Sequence, residues 1–136
     1  MPRGQDDRPT VLVVDDEQMI RWAIQRTLAA AGYEVVVAET AAQGMALFHE
    51  VLPEVVLLDI CLPDQNGLTV LQEMKQQAGS QSAVIMMTAF DEDHTASEAL
   101  QMGAYDYLKK PFDFDSLSAL VGKAVTAASK NPPKAS

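Results

Sequence analysis

Five short apolar runs punctuate the chain: Val11–Val14, Val35–Ala38, Val55–Leu58, Ala83–Met87 and Tyr105–Leu108. Each is followed by a stretch with helical spacing. That alternation constrains the fold more than any other feature, because strands separated by helices pair in parallel through right-handed crossovers. The first, third and fourth runs are nearly continuous in Val, Leu, Ile and Met. Strands buried on both faces of a parallel sheet read this way. The second is followed by Glu39 and Thr40, and the fifth is interrupted by Asp106. Those polar residues place both runs toward the sheet edges.

The helical stretches complete the pattern. Ile20, Ala23, Ile24, Thr27, Leu28 and Ala31 mark one face of a first helix, with Gly32 as its stop. Ala42, Met45, Ala46 and His49 mark a second. Leu68, Leu71, Met74 and Lys75 follow the Asn66-Gly67 turn and mark a third, which Gly79 ends. Ala96, Ala99, Leu100 and Gly103 mark a fourth. Leu117, Leu120, Val121, Ala124, Val125 and Ala128 mark a fifth, with Asp113 as its N-cap. The expected fold class is therefore α/β, a (βα)5 doubly wound parallel sheet over residues 9–129. Residues 1–8 read as an N-terminal tail and 130–136, with Pro132-Pro133, as a C-terminal tail or linker.

A chain of 136 residues suits one domain, and 48% hydrophobic residues suffice for a core. The 19 acids against 10 bases leave a net charge of -9. Nucleic-acid binding rests on neutralising phosphates, so this balance argues against direct contact with it. Between Arg26 and Lys109 the only Lys or Arg is Lys75, so no basic stripe hides inside the total. A single cysteine, Cys61, excludes an internal disulfide framework and a multi-cysteine metal site. No apolar run approaches the roughly 20 residues that span a bilayer. Met1–Arg8 is polar and lacks a signal core. A cytoplasmic protein without membrane contact is expected.

Open α/β sheets carry their sites at the carboxyl ends of strands. Asp15, Asp16 and Glu17 follow the first strand, Asp59 the third, Thr88-Ala89 the fourth, and Lys109, Lys110 and Pro111 the fifth. Carboxylates gathered at one rim repel one another, and a hard divalent cation resolves that conflict. Mg2+ takes one or two carboxylates and leaves room for phosphate oxygens. A lysine neutralises a phosphoryl group as a point charge, a threonine hydroxyl donates to it, and a carboxylate can attack phosphorus. The set suits Mg2+-assisted phosphoryl transfer onto Asp59.

Each residue also has an ordinary reading. Asp15 and Asp16 can serve as helix N-caps. Asp59 resists dismissal, since a carboxylate ending an apolar strand is costly to bury without a partner. Thr88 and Lys110 alone are uninformative; their joint placement at strand ends is what counts. Cys61 has no nearby His and no sign of activation, and reads as a small loop residue. His49 and His94 lack ligand spacing. The seven Met residues read mostly as core filler. No Gly-rich phosphate loop follows the first strand, which disfavours nucleotide or flavin binding.

Several separated segments together resemble one family. They are Val13-Val14-Asp15-Asp16-Glu17, Leu57-Leu58-Asp59-Ile60-Cys61-Leu62-Pro63 with Gly67 following, Met87-Thr88-Ala89, and Gly103-Ala104-Tyr105-Asp106-Tyr107-Leu108-Lys109-Lys110-Pro111-Phe112. In order and spacing they are similar to receiver domains of two-component response regulators. The last of them, running into Asp113, resembles receivers of NtrC-like sigma-54-dependent activators. The resemblance spans about Thr10 to Ser129. It implies a flavodoxin-like fold with strand order 2-1-3-4-5. It implies Asp59 as the phosphoacceptor and a histidine kinase as the donor. Asp15 and Asp16 would serve Mg2+, with Asp16, Asp59 and the backbone carbonyl of Cys61 as direct ligands. Thr88 and Lys110 would contact the phosphoryl group, and Thr88 and Tyr107 would form the switch. The Lys110-Pro111 bond would be cis.

The same resemblance implies a downstream ATPase domain and a DNA-binding domain as output, reached through the fourth helix, fifth strand and fifth helix. A natural single-domain regulator fits the sequence equally, and a homodimer is a further expected partner. Cys61 and Phe90 hold loop positions that in the family tune the lifetime of the phosphorylated state. Two rival readings are a Mg2+-dependent phosphatase with an aspartyl nucleophile after strand one, and a non-phosphorylated interaction module. The first wants Asp-x-Asp where the chain has Asp15-Asp16-Glu17, and the second has no need to keep Asp59, Thr88 and Lys110 together. The domain itself is expected to be regulatory, with only self-catalysed phosphotransfer and autodephosphorylation.

Overall fold

The computed structural model describes residues 8–77, 82–88 and 93–130, the side chains of 93–95 and 129–130 excepted. Strands and helices alternate: β1 (Thr10–Val14), α1 (Gln18–Ala30), β2 (Glu34–Ala38), α2 (Ala41–Val51), β3 (Val55–Asp59), α3 (Gly67–Gln76), β4 (Ala83–Thr88), α4 (Asp93–Gln101), β5 (Asp106–Lys109) and α5 (Phe114–Lys130). The strands form one sheet in the order β2-β1-β3-β4-β5, and every neighbouring pair is parallel. The two runs with polar residues, β2 and β5, are the edges.

Side-chain alternation along each strand divides the interior into two layers. Val11 and Val13 of β1, Val55 and Leu57 of β3, and Ile85 and Met87 of β4 pack against Ile24 and Leu28 of α1 and Leu117, Val121 and Ala124 of α5. Leu12, Val14, Val56, Leu58, Val84 and Met86 face the other way. They meet Ala41 and Phe48 of α2, Val70, Leu71 and Met74 of α3, and Ala99 of α4. Two helices therefore cover one face and three the other, as a doubly wound sheet requires.

Helix ends follow local chemistry. Gly32 has φ 101°, and α1 closes with Gly32 N–H donating to Ala29 O and Tyr33 N–H to Leu28 O. That is the paired bonding of a left-handed C-terminal cap, and Gly103 (φ 107°) ends α4 in the same way. Asp113 accepts from Ser116 N–H at 2.6 Å, the N-cap expected of it. The Lys110-Pro111 peptide is cis.

Two helix faces and two element boundaries need correction. The buried face of α2 is Ala41, Gly44 and Phe48, while Ala42, Ala46 and His49 are exposed and Met45 is only partly covered. A Cβ on Gly44 would stand 2.9 Å from Val14 Cγ2, so the helix lies too close to β1 for any larger residue. Two small residues and Phe48 make that face, so a stripe of larger apolar residues does not reveal it. On α4, Ala96 and Ala99 are buried but Leu100 is exposed. Met74, Met86 and Met87 are fully buried and Met45 and Met102 pack against the core, as expected of filler, with Met19 the exposed exception. Among the boundaries, β5 starts at Asp106, one residue late, and α3 ends at Gln76. Gly79, Ala89 and Phe90, the side chain of His94, and the tails 1–7 and 131–136 lie outside the described residues.

Candidate functional site

Parallel register delivers the chemistry to one rim. Val14 is level with Leu58, Asp59 with Met87, and Thr88 with Lys109. Asp15, Asp59, Thr88 and Lys110 therefore all leave the sheet at its carboxyl edge. The backbone then holds each in place. Asp15 N–H donates to Ala38 O, Ile60 N–H to Met87 O, and Lys110 N–H to Thr88 O.

Asp15 is wholly buried. Its Oδ1 accepts from Glu17 N–H at 2.8 Å and its Oδ2 from Lys110 Nζ at 2.7 Å. Arg21 donates to its backbone carbonyl at 2.8 Å. Neither Asp15 nor Asp16 is the N-cap of α1. Glu17 occupies that position with no side-chain cap, and Asp15 instead closes a short turn onto Glu17 N–H. Asp15 is thus enclosed by the Glu17 amide and the Lys110 ammonium.

Asp59 ends β3 and is only 5% exposed. Its Oδ1 accepts from Cys61 N–H at 3.3 Å, and its Oδ2 lies 3.4 Å from Lys110 Nζ. Burial first, and then the charge of Asp15, push its carboxyl up to about 6, against the pull of Lys110 and the Cys61 amide. Burial alone would lower Lys110, but its hydrogen bond to Asp15 and the charges of Asp15 and Asp59 outweigh that and raise it. Lys110 also reaches Glu17 Oε1 at 3.3 Å. The ammonium thus stands among three carboxylates, closest to Asp15.

Asp15, Asp16 and Asp59 each offer one oxygen within 4.8 Å of the others. Asp16 is exposed and open to solvent; the other two are buried. Three carboxylate oxygens this close, with one of the acids already pushed toward its neutral form, are the donor set of a hard cation. The residues present fit Mg2+.

Thr88 is buried at the end of β4. Tyr107 lies two residues before Lys109 on β5 and is 40% exposed, so its ring is at the surface. Cys61 is exposed and bridges antiparallel to Asn66. Partial burial and the neighbouring Asp59 charge push its thiol up, which keeps it from acting as a thiolate. Lys109 is exposed, and its neighbour Lys110 turns into the rim. His49 is exposed on the last turn of α2, edge-on to Phe48 and distant in role from any ligand set. Three contacts had no sequence signal of their own: Arg21 on the Asp15 carbonyl, Glu17 on Lys110, and the carboxylate of Asp64 on the backbone amides of Ala41 and Ala42. Only Glu17, third in the acidic triple, drew attention by position.

With this geometry in place, comparison with known proteins is informative. Residues 11–122 match the family described as the response regulator receiver domain. The chain is 40% identical over 115 residues to the regulatory protein AtoC of Escherichia coli K12, covering 85% of this chain and 25% of the relative. It is 41% identical over 119 residues to the DNA-binding transcriptional regulator NtrC of the same organism, covering 88% and 25%. The chain thus spans about a quarter of the length of these relatives. Among solved structures, the receiver domain of NtrX from Brucella abortus is 35% identical with a TM-score of 0.80, over 85% of this chain and 98% of that one. The receiver domain of a LuxO repressor-like protein from Vibrio parahaemolyticus is 28% identical with a TM-score of 0.87, over 91% and 95%.

Proposed function

The chain belongs to the response regulator receiver domain family, and from that premise we propose that it is a phosphorylation-driven switch whose acceptor is Asp59. The observation that carries this reading is the Asp59 carboxylate itself. It ends a buried strand, 3.4 Å from Lys110 Nζ and within 4.8 Å of oxygens of Asp15 and Asp16.

A sensor histidine kinase is the donor. An Asp59 oxygen attacks phosphorus, the bond from phosphorus to the donor's imidazole nitrogen breaks, and the electron pair remains on the imidazole. With its carboxyl near 6, Asp59 is roughly ten-to-one ionised at pH 7 and ready to attack. Lys110, held as an ammonium, donates to a phosphoryl oxygen, and the Thr88 hydroxyl moves to donate to another. When bound by Asp16, Asp59 and the Cys61 carbonyl, with Asp15 behind them, Mg2+ supplies the positive charge that offsets the transferring group.

Movement of Thr88 vacates space near β5. Tyr107 then turns inward from the surface, and the face formed by α4, β5 and α5 changes shape. Phosphate acts by favouring one of two arrangements of that face. Downstream ATPase and DNA-binding domains, as in an NtrC-like activator, are the output, and a second copy of the chain is a further partner for the same face. This domain makes no direct contact with nucleic acid and acts in the cytoplasm. No helix among the described residues is long and apolar enough to cross a membrane.

The test is intact-mass measurement after incubation with acetyl phosphate and Mg2+. The native chain gains one phosphoryl group and Asp59→Asn gains none. Stoichiometric labelling of Asp59→Asn, or catalytic turnover of a phosphate monoester, overturns the reading.

A further inference from the structure

The segment from Ile60 to Asn66 leaves the acceptor strand, carries Cys61, and returns to start α3. Its base is closed three times. Ile60 N–H donates to Met87 O, Gly67 N–H donates to Ile60 O at 2.6 Å, and Cys61 bridges to Asn66. Gly67 sits so close that an added Cβ would collide with the Asp59 carbonyl. The base therefore follows Asp59 rigidly.

The far end of the loop is held by a different helix. Asp64 Oδ1 accepts from Ala41 N–H at 2.8 Å, and Oδ2 accepts from Ala42 N–H at 3.1 Å. These are the first two residues of α2, whose amides have no partner within the helix. Thr40 Oγ1 takes the next amide, Gln43 N–H, at 3.1 Å. The helix start is thus capped half by its own neighbour and half by a residue 22 or 23 positions away in the loop. Ala41 is fully buried, so water cannot easily replace Asp64 there. The amide of Ala41 accordingly holds the Asp64 carboxyl below the usual carboxylate range.

We propose that Asp64 is a positioning residue for the reaction at Asp59: by fastening the tip of the 60–66 loop to the start of α2, it fixes the loop at the acidic rim and thereby sets the affinity for Mg2+. The inference rests on the reading of Asp59 and Cys61 given above. Cys61 lies between the closed base and the tethered tip, three residues from Asp64. With both ends held, the segment offers its backbone to the cation without first being ordered. With the tip released, that ordering must accompany binding.

Calorimetric Mg2+ titration and thermal melts of four chains test this: native, Asp64→Ala, Asp64→Asn and Thr40→Ala. Asp64→Ala weakens Mg2+ binding about tenfold, the scale seen when an outer partner of a metal ligand is lost. Asp64→Asn keeps one carbonyl oxygen for Ala41 and weakens binding about threefold. Thr40→Ala removes a cap from the same helix end without touching the loop, so it lowers the melting temperature but leaves Mg2+ affinity within twofold. The proposal is overturned if Asp64→Ala binds Mg2+ like the native chain, or if Thr40→Ala weakens binding as much as Asp64→Ala. Should Asp64→Ala fail to fold, an unchanged affinity in Asp64→Asn overturns it equally. Failure of the native chain to label at Asp59 is a separate result that overturns the acceptor reading, whereas normal labelling with an indifferent Asp64 overturns only the tether.

Discussion

Lys110 Nζ lies 2.7 Å from Asp15 Oδ2, closer than to any other carboxylate at the rim. The ammonium is thus anchored on Asp15, and faces Asp59, the proposed acceptor, from that anchor at 3.4 Å. Asp15 is wholly buried and Lys110 nearly so, and neither charge is readily hydrated if the other is lost.

Lys110→Ala therefore leaves Asp15 as a buried charge beside two further acids. The expected cost in the metal-free protein is about 3 kcal/mol, the lower range for breaking a buried pair. Urea unfolding with and without Mg2+ checks it. The cation restores part of the loss, because it supplies the positive charge that the lysine gave. Phosphoryl labelling stays impaired even when Mg2+ has restored the fold.

Asp59 makes a second, opposite contribution. Its folded value, about 6, lies above the ordinary carboxyl value of 3.8. The native state therefore holds the extra proton between those values, and stability from this group is full below pH 4. It is lost as pH rises through 6, by on the order of 3 kcal/mol. Metal-free Asp59→Asn should melt higher than the native chain at pH 7.5, with the gap closing toward pH 4. Adding Mg2+ at pH 7.5 should narrow it too. A native chain that melts as high as the variant at pH 7.5 without metal would show that the carboxylate is not under strain.

Gly44→Ala places a methyl 2.9 Å from Val14 Cγ2. Overpacking of this kind costs about 1–3 kcal/mol. Val14 immediately precedes Asp15, so the displacement reaches the acidic rim. Thermal melts of Gly44→Ala and of the double variant with Val14→Ala decide the cause. If the clash is responsible, the double variant loses less than the sum of the two single losses.

Leu52 sits at φ 48°, ψ 65°, largely exposed, at the C-terminal end of α2. A branched side chain in left-handed backbone costs about 1–2 kcal/mol. Leu52→Gly relieves that and gives some of it back as unfolded-chain entropy, for a net gain of about 0.5 kcal/mol. Urea midpoints measure it, and labelling at Asp59 should be unchanged, because Leu52 lies at the opposite end of β3.

Much of this architecture is legible from the amino acids. Val11–Val14 and Val55–Leu58 announce central strands because both of their faces are apolar. Asp59 stands out because a carboxylate at the end of such a strand demands a partner. The α2 face is hidden from the sequence for an equally physical reason. Its close approach to β1 is made at Gly44, against Val14, and close approach of backbones selects small residues that carry little apolar signal. The Asp64 contact was invisible because it joins residues more than twenty positions apart through backbone amides, which have no sequence letter of their own. That Lys110 binds Asp15 more tightly than Asp59 depends on distances of tenths of an ångström, which no spacing rule resolves.

The Asp15–Lys110 pair joins positions 95 residues apart. During synthesis, all three carboxylates leave the ribosome well before the cation that balances them. A chain interrupted before β5 carries the acids of the rim with no lysine to face them, and their mutual repulsion works against the very closure that would bring phosphate to Asp59. The charge balance of the rim is therefore completed last, with the final strand.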